Sequence, residues 1–431
     1  MHFKGFTHLC PTRAVEWLAC AAALGVFAFW TLPDLVTVAA GEDLASLVIA
    51  GQLVRTGQAG AIYAHDQEQF HRVESESFLS AARAIGFRAF CHPFVQAPLV
   101  AWAFAPLSAL PFEAVRLAWL FLSLVALAGG FELALRMYAP RLRRPAAWAF
   151  FLLGLSIFEP VRYGLWIGQT TPLFFFLVLL ALWLERRGSH IPAGLVLALP
   201  GFVKLSPLLL GVSFLARGSA RSCVALALGF AALGGLSLAV AGIDLNTAYL
   251  DRIGEVGNGV LVAYNNHSLL AFVTRFQTPA EAVLSWRLID PGLRATLVSS
   301  GLLALGAIAA ALSLRRIPPV AGPEGRAARL EAHLFVLMLL APGLSWSHYF
   351  LFLVPPLLLA IDQGPPSARG FTWALALAAL ALCSRPLLPD YMNLTLSGSE
   401  VIPGPTLAAI LVEGLLLAPA LGQSSPPPRA G

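Results

Sequence analysis

The stretch Ile191–Gly218, IPAGLVLALPGFVKLSPLLLGVSFLARG, decides how the rest of the chain is read. Its flanks are apolar enough to lie in lipid, yet Pro200, Gly201, Lys204 and Pro207 stand at its centre. Internal proline removes a helix hydrogen bond and glycine loosens the backbone, so two short half-helices meeting at a break are expected. Non-helical backbone at membrane depth is tolerated only where protein or a water-filled cavity surrounds it. A cavity is therefore expected beside Lys204.

Similar apolar runs fill the rest of the chain. Of 431 residues, 58% are hydrophobic and 12% charged, and the mean hydropathy is +0.75; a soluble domain carries roughly 25% charged residues. Runs able to cross a bilayer fall at about 14–32, 94–110, 114–138, 146–162, 170–184, 191–216, 222–242, 293–314, 332–344, 350–361, 371–385 and 405–421. The fold class is an all-α polytopic membrane protein of about 10–13 transmembrane helices. It reads as one integral membrane domain over 1–421, opening on an uncleaved first helix, with a disordered Pro-rich tail at 422–431. The five cysteines are scattered and mostly inside apolar runs, as small buried hydrophobes are.

The formal charge of +5 does not make a nucleic-acid protein, because the basic residues form no stripe. They cluster between apolar runs: RLRRP at 141–145, ERRG at 185–188, Arg217 with Arg221, and RRIPP at 315–319. The positive-inside rule puts these clusters and the N-terminus in the cytoplasm, and two long polar insertions, about 33–92 and 243–292, outside. Parity requires an odd number of crossings between the first insertion and RLRRP, whereas 94–138 reads most simply as two. Either one segment there is re-entrant or those arginines face outward.

In the first insertion, Leu44, Leu47, Val48, Gly51 and Val54 recur at near-helical spacing. This predicts an interfacial helix with its apolar face towards lipid; a second amphipathic helix is expected in QEQFHRVESESFLSAARAIGF. Glu42 and Asp43 head the first helix. They are either cap residues stabilised by the helix dipole or a general base facing a cavity, with Glu42 as the alternative to Asp43. Asp43, Gly51, Gly57 and Tyr63 form a spaced unit of helix, turn and aromatic anchor.

The chain has two lysines, Lys4 and Lys204. An ionisable residue inside a membrane segment is costly and a functional candidate; Lys204 either binds phosphate as a point charge or snorkels to a headgroup. Gln169 is a helix-end polar group or a sugar contact. Asn265, Asn266 and His267, with Arg275 nearby, either bind a sugar or pyrophosphate or serve their own loop. His348 and Tyr349 are interfacial belt residues or site residues, and His92 with Pro93 is a re-entry turn or an acceptor contact.

The order of these features resembles the bacterial integral-membrane glycosyltransferases of family eighty-seven, in the C-type superfamily. The likeness is carried by AGQLVRTGQAGAIY, HPFVQAPLVAWAFAPLSALPFEAVRLAW, GQTTPLFFFLVLLAL, AGLVLALPGFVKLSPLLL, NNHSLLAFVTR and SHYFLFLVPPLLL, from about residue 33 to 360. Mycobacterial members of that family are polyprenyl-phosphate-mannose-dependent mannosyltransferases. The resemblance implies a C-type bundle in the plasma (inner) membrane with an extracytoplasmic site against the first outer loop. It implies a polyprenyl-phosphate sugar donor, a glycan or glycolipid acceptor, membrane lipid as surroundings, and inversion at the anomeric carbon. Asp43 takes the place of the proposed base, Lys204 of the lysine before proline, and Gln169 of the glycine–glutamine pair. Lys204 and Arg275 would meet the donor phosphate; Gln169, Asn265, Asn266, His267, His348, Tyr349 and His92 would meet sugar or acceptor. The usual tyrosine–proline–proline after the loop is here Cys91-His92-Pro93-Phe94, and the aromatic run after the aspartate is LASL. No cofactor or metal site is called for, and metal dependence is left open. The rival classes are a transporter or lipid flippase, which predicts two symmetric halves, and a lipid-linked polysaccharide ligase or polymerase.

Overall fold

Phe112–Tyr138 sets the frame: its 27 residues rise about 40 Å, more than the roughly 30 Å hydrocarbon core requires. The structure is a computed structural model and describes residues 13–37, 41–63, 70–73, 75–315, 322–364, 368–384 and 404–421. Lys4, Cys10, most of the 315–319 cluster and the expected tail lie outside the described residues. The protein is an all-α polytopic membrane bundle. The stretch beginning at Arg13, Phe112–Tyr138, Ala220–Asn258 and Gly292–Arg315 are each long and apolar enough to cross a bilayer, and shorter apolar helices pack among them.

The arginine clusters share one end. Tyr138 donates to the fully buried Glu331 at 2.8 Å, and Arg186 pairs with the same carboxylate. Arg217 reaches Glu331 at 3.4 Å and Glu324 at 2.8 Å. Arg144 pairs with buried Glu16 on the first helix, and the Arg141 amide donates to Asp362 at 3.2 Å. A buried carboxylate survives only with such partners, so these arginines staple helices together as well as marking a side.

From that end the chain climbs back. Thr171–Arg186 spans 16 residues and His190–Val203 another 14, each rising more than about 20 Å. Both therefore place their far termini, Thr171 and Val203, at the end opposite the arginines.

The break in the deciding stretch falls at Lys204, which is extended with φ −137° and ψ 109°. The helix runs through Pro200 and Gly201, stops at Val203, and resumes as a tight turn at Ser206–Leu210 and a helix at Gly211–Ala216. The proline–glycine pair thus sits one turn before the break rather than at it.

Two expectations need correction. Residues 94–110 do not span: Pro98–Phe104 has seven residues and is followed by the short turn Leu107–Ala109. About 10 Å of helix cannot cross a bilayer, so the segment does not span. One crossing, Phe112–Tyr138, then separates the first insertion from RLRRP, and the parity conflict disappears. Secondly, Glu42–Arg55 does not turn an apolar face to lipid. Every residue from Leu44 to Leu53 is buried, with Pro98–Phe104 packed against it. A Cβ on Gly51 would come within 2.5 Å of the Phe104 carbonyl carbon, which is why that close approach needs glycine. The second predicted helix of the insertion forms at Glu76–Ala84, capped by Ser75 and burying Phe78, Ala81 and Ala82.

The second insertion is ordered too. Ala220–Asn258 continues past a kink at Gly242, Val260–Leu261 pairs antiparallel with Leu288–Ile289, and Leu269–Arg275 forms a short helix between them. Cys20, Cys91 and Cys383 are buried free thiols.

Candidate active site

The Glu42–Arg55 helix starts without a side-chain cap. Its first amides are taken by another segment: Asp43 N and Leu44 N donate to the Ile167 carbonyl at 2.9 and 3.3 Å, and Gly41 N to Trp166 O at 3.1 Å. The orphan donors of the first turn are thereby satisfied, and the Asp43 carboxylate is released from capping. Gly168 makes this junction possible. It holds φ +74°, and a Cβ there would lie 2.6 Å from Leu44 Cβ.

Asp43 therefore meets two side chains from distant segments. One carboxylate oxygen hydrogen-bonds His92 Nδ1 and the other accepts from Gln169 Nε2. The side chains of Asp43 and His92 are 21% and 25% exposed, so the pair is reachable from outside. Glu42 stands 3.8 Å from His92 Nε2. Burial alone would lower the His92 pKa, but the charge and hydrogen bond of Asp43, with the charge of Glu42, hold it above the ordinary value.

Local structure fixes each partner. The His92 loop is pinned where Tyr63 donates to the Gln96 carbonyl at 2.6 Å and packs its ring on Phe94. The spaced unit Asp43, Gly51, Gly57 and Tyr63 therefore brings the acid and the His92 loop together. Gln169 is held by its amide on Gly164 O at 2.8 Å, while its carbonyl accepts from Trp119 Nε1 at 3.4 Å.

Lys204 completes the group. Its Nζ donates to Gln169 Oε1 at 3.0 Å and lies 4.2 Å from the Tyr349 ring centroid, a cation–π contact. Beside it opens a small, mostly apolar crevice walled by Phe174, Pro207, Met338, Leu339 and Phe352, with Thr171 and Ser206 also in its lining. His348 stands within electrostatic reach of Lys204, Asp43 and His92. It is 3% exposed, and neither ring nitrogen has a hydrogen-bond partner among the described residues. Tyr163 is within electrostatic reach of Asp43, Glu42 and Tyr264; nothing in its spacing singled it out. The structure thus brings together Asp43, Glu42, His92, Gln169, Lys204, His348 and Tyr349.

Three other candidates lie apart from this group. Arg275 was expected on a donor phosphate, but it is 2% exposed and donates to the carbonyls of Val262, Ala263 and Asn266, clamping the loop. The Asn266 side chain donates to Leu261 O and Gly343 O and accepts from the Ser268 and Ser345 amides, leaving nothing for a sugar. His267 bonds Ser347 Oγ at 2.9 Å and is fully enclosed. These residues tie the second insertion to the segment that carries His348. Asn265 shares the seam, its carbonyl accepting from Ser347 N at 3.2 Å.

The group holds a carboxylate, an ammonium beside a crevice and one amide between them. Comparisons with known proteins place the chain among membrane glycosyltransferases. Residues 94–342 match the model of Glycosyltransferase family 87, a range that holds Gln169 and Lys204 but not Asp43 or His348. The chain is similar to the polyprenol-phosphate-mannose-dependent alpha-(1-2)-phosphatidylinositol pentamannoside mannosyltransferase of Mycobacterium tuberculosis, 27% identical over 65% of this chain and 62% of that protein. It is 28% identical to the protein of the same name from Mycolicibacterium smegmatis, over 67% of each. The chain thus spans about 62% of the length of the first of these relatives. No solved structure matches it.

Proposed function

The chain belongs to glycosyltransferase family 87, and from that premise we propose that it transfers mannose from a polyprenyl-phosphate donor to a glycan or glycolipid acceptor at the extracytoplasmic face of the plasma membrane. The observation that carries this is the Asp43–Gln169–Lys204 relay, with the apolar crevice on the lysine side. An isoprenoid chain suits walls of Phe, Pro, Leu and Met, and a phosphate at its head suits the ammonium. The printed donor of the mycobacterial relatives supports the same lipid class.

The step is a single displacement. The acceptor oxygen bonds to the anomeric carbon as the bond from that carbon to the phosphate oxygen breaks, which inverts the centre. Asp43 takes the acceptor proton, and Lys204 meets the charge that grows on the departing phosphate. His92 orients the Asp43 carboxylate from the side opposite Gln169. His348, buried with two open ring nitrogens, supplies a hydrogen bond to the donor sugar or phosphate.

Incubating membranes that contain the protein with labelled polyprenyl-phosphate mannose, glucose and arabinose tests the proposal. Transfer from the mannose donor, absent from membranes lacking the protein, is expected. Transfer from none of the three would overturn it.

A further inference from the structure

On the far side of Asp43 from Lys204, a row of rings leads outward from the carboxylate. His92, which bonds Asp43, meets the edge of Phe90 at 5.5 Å. Phe90 packs on His71 at 5.4 Å, and His71 on Trp286 at 4.3 Å. Trp286 meets Tyr264 edge-on at 5.5 Å. The row therefore leaves the acid through His92 and ends at Tyr264.

This row is built from both insertions. Phe90 and His71 come from the first, Trp286 and Tyr264 from the second, and the Phe70 amide locks them by donating to the Trp286 carbonyl at 2.9 Å. Phe90 is 45% exposed although its neighbours are partly covered, so the row presents ring surface to whatever enters. Rings anchored singly at a membrane rim face headgroups. These rings touch one another in sequence and end at a carboxylate.

Their chemistry selects a ligand. His71, Trp286, Tyr264 and His92 are half-buried rings that combine an apolar body with a polar edge. A pyranose has the matching form: a C–H face that lies on a ring and a rim of hydroxyls that hydrogen-bond at the edges. Asp43 needs a hydroxyl brought to it, and the lipid-phosphate side is already occupied by Lys204 and its crevice. We infer that Phe90, His71, Trp286 and Tyr264 form the acceptor subsite, stacking neutral sugar units of a glycan so that its terminal hydroxyl reaches Asp43. This inference rests on Asp43 as the base that receives the acceptor.

Binding to the purified full chain tests it without turnover, with α-linked mannotriose and farnesyl phosphate as separate probes. Wild type should bind both. Trp286→Ala should weaken mannotriose about tenfold, the size of a lost ring contact, and leave farnesyl phosphate unchanged. Trp286→Phe should recover most of the sugar affinity, and Arg287→Ala, at the exposed neighbouring position, should match wild type. Unchanged mannotriose binding by both Trp286→Ala and Phe90→Ala, with farnesyl phosphate intact, would make the rings an interfacial belt and overturn the inference. So would a wild-type protein that binds farnesyl phosphate but not mannotriose. A wild type unable to bind farnesyl phosphate would instead strike the donor reading, so the two failures are distinguishable.

Discussion

Lys204 and Asp43 face each other across one carboxamide: Gln169 accepts from Lys204 Nζ at 3.0 Å and donates to the Asp43 carboxylate. A direct ion pair would spend the cation on the acid. The amide, with an acceptor on one side and a donor on the other, keeps both charges fixed and separate. In the proposed reaction the lysine is thereby left to meet a phosphate and the aspartate a hydroxyl.

Lys204→Gln removes the cation while keeping a polar side chain. Losing a fixed group that meets developing charge costs about 10²–10³ in rate. A fall of that size in kcat/KM for the polyprenyl-phosphate sugar, with weaker farnesyl phosphate binding, is expected. Unchanged values in both measurements would remove Lys204 from the donor site.

Gly168→Ala should damage the site without touching a charged group. An alanine at φ +74° costs about 1–3 kcal/mol in backbone strain, and its methyl would press on Leu44 Cβ. The helix bearing Asp43 must then move away from Gln169, and a misplacement of about 1 Å can cost about 10²-fold in rate. Thermal melting and kcat measured together check this; a variant equal to wild type in both would contradict the junction described.

His92 gives a pH-dependent signature. Its pKa is raised by Asp43 and Glu42, so its stabilising contribution is fully present below the unfolded value of about 6.5 and is lost as pH rises through the higher folded value. The melting-temperature gap between wild type and His92→Gln should narrow as pH rises from about 6 towards 9. A gap constant over that range would show that the ion pair contributes nothing.

Much of this arrangement was legible in the chain. A lysine flanked by Pro200 and Pro207 announced a break beside a cavity, because helix interruption in lipid has few physical causes. The arginine clusters announced one end of the bundle. The details that failed depend on contacts between segments remote in sequence. Helical spacing in 42–55 looked like a lipid-facing stripe because periodicity says nothing of the second layer, and Pro98–Phe104 supplies that layer. Asn266 and His267 looked like ligand contacts because a polar cluster reads the same whether it serves a sugar or the backbone of 343–347. Arg275 holds three backbone carbonyls 9 to 13 positions away, which its own sequence context does not reveal. His92 stood at a departure from the family pattern, and its contact with Asp43, 49 positions away, has no local signal.

The central claim is that the Asp43 carboxylate removes the acceptor proton. Asp43→Asn keeps the shape and the Gln169 and His92 neighbours but cannot act as a base. Transfer from polyprenyl-phosphate mannose by the purified variant should fall about 10²–10⁴-fold, with farnesyl phosphate binding and the melting temperature close to wild type. Transfer within a fewfold of wild type by that folded, donor-binding variant would contradict the account.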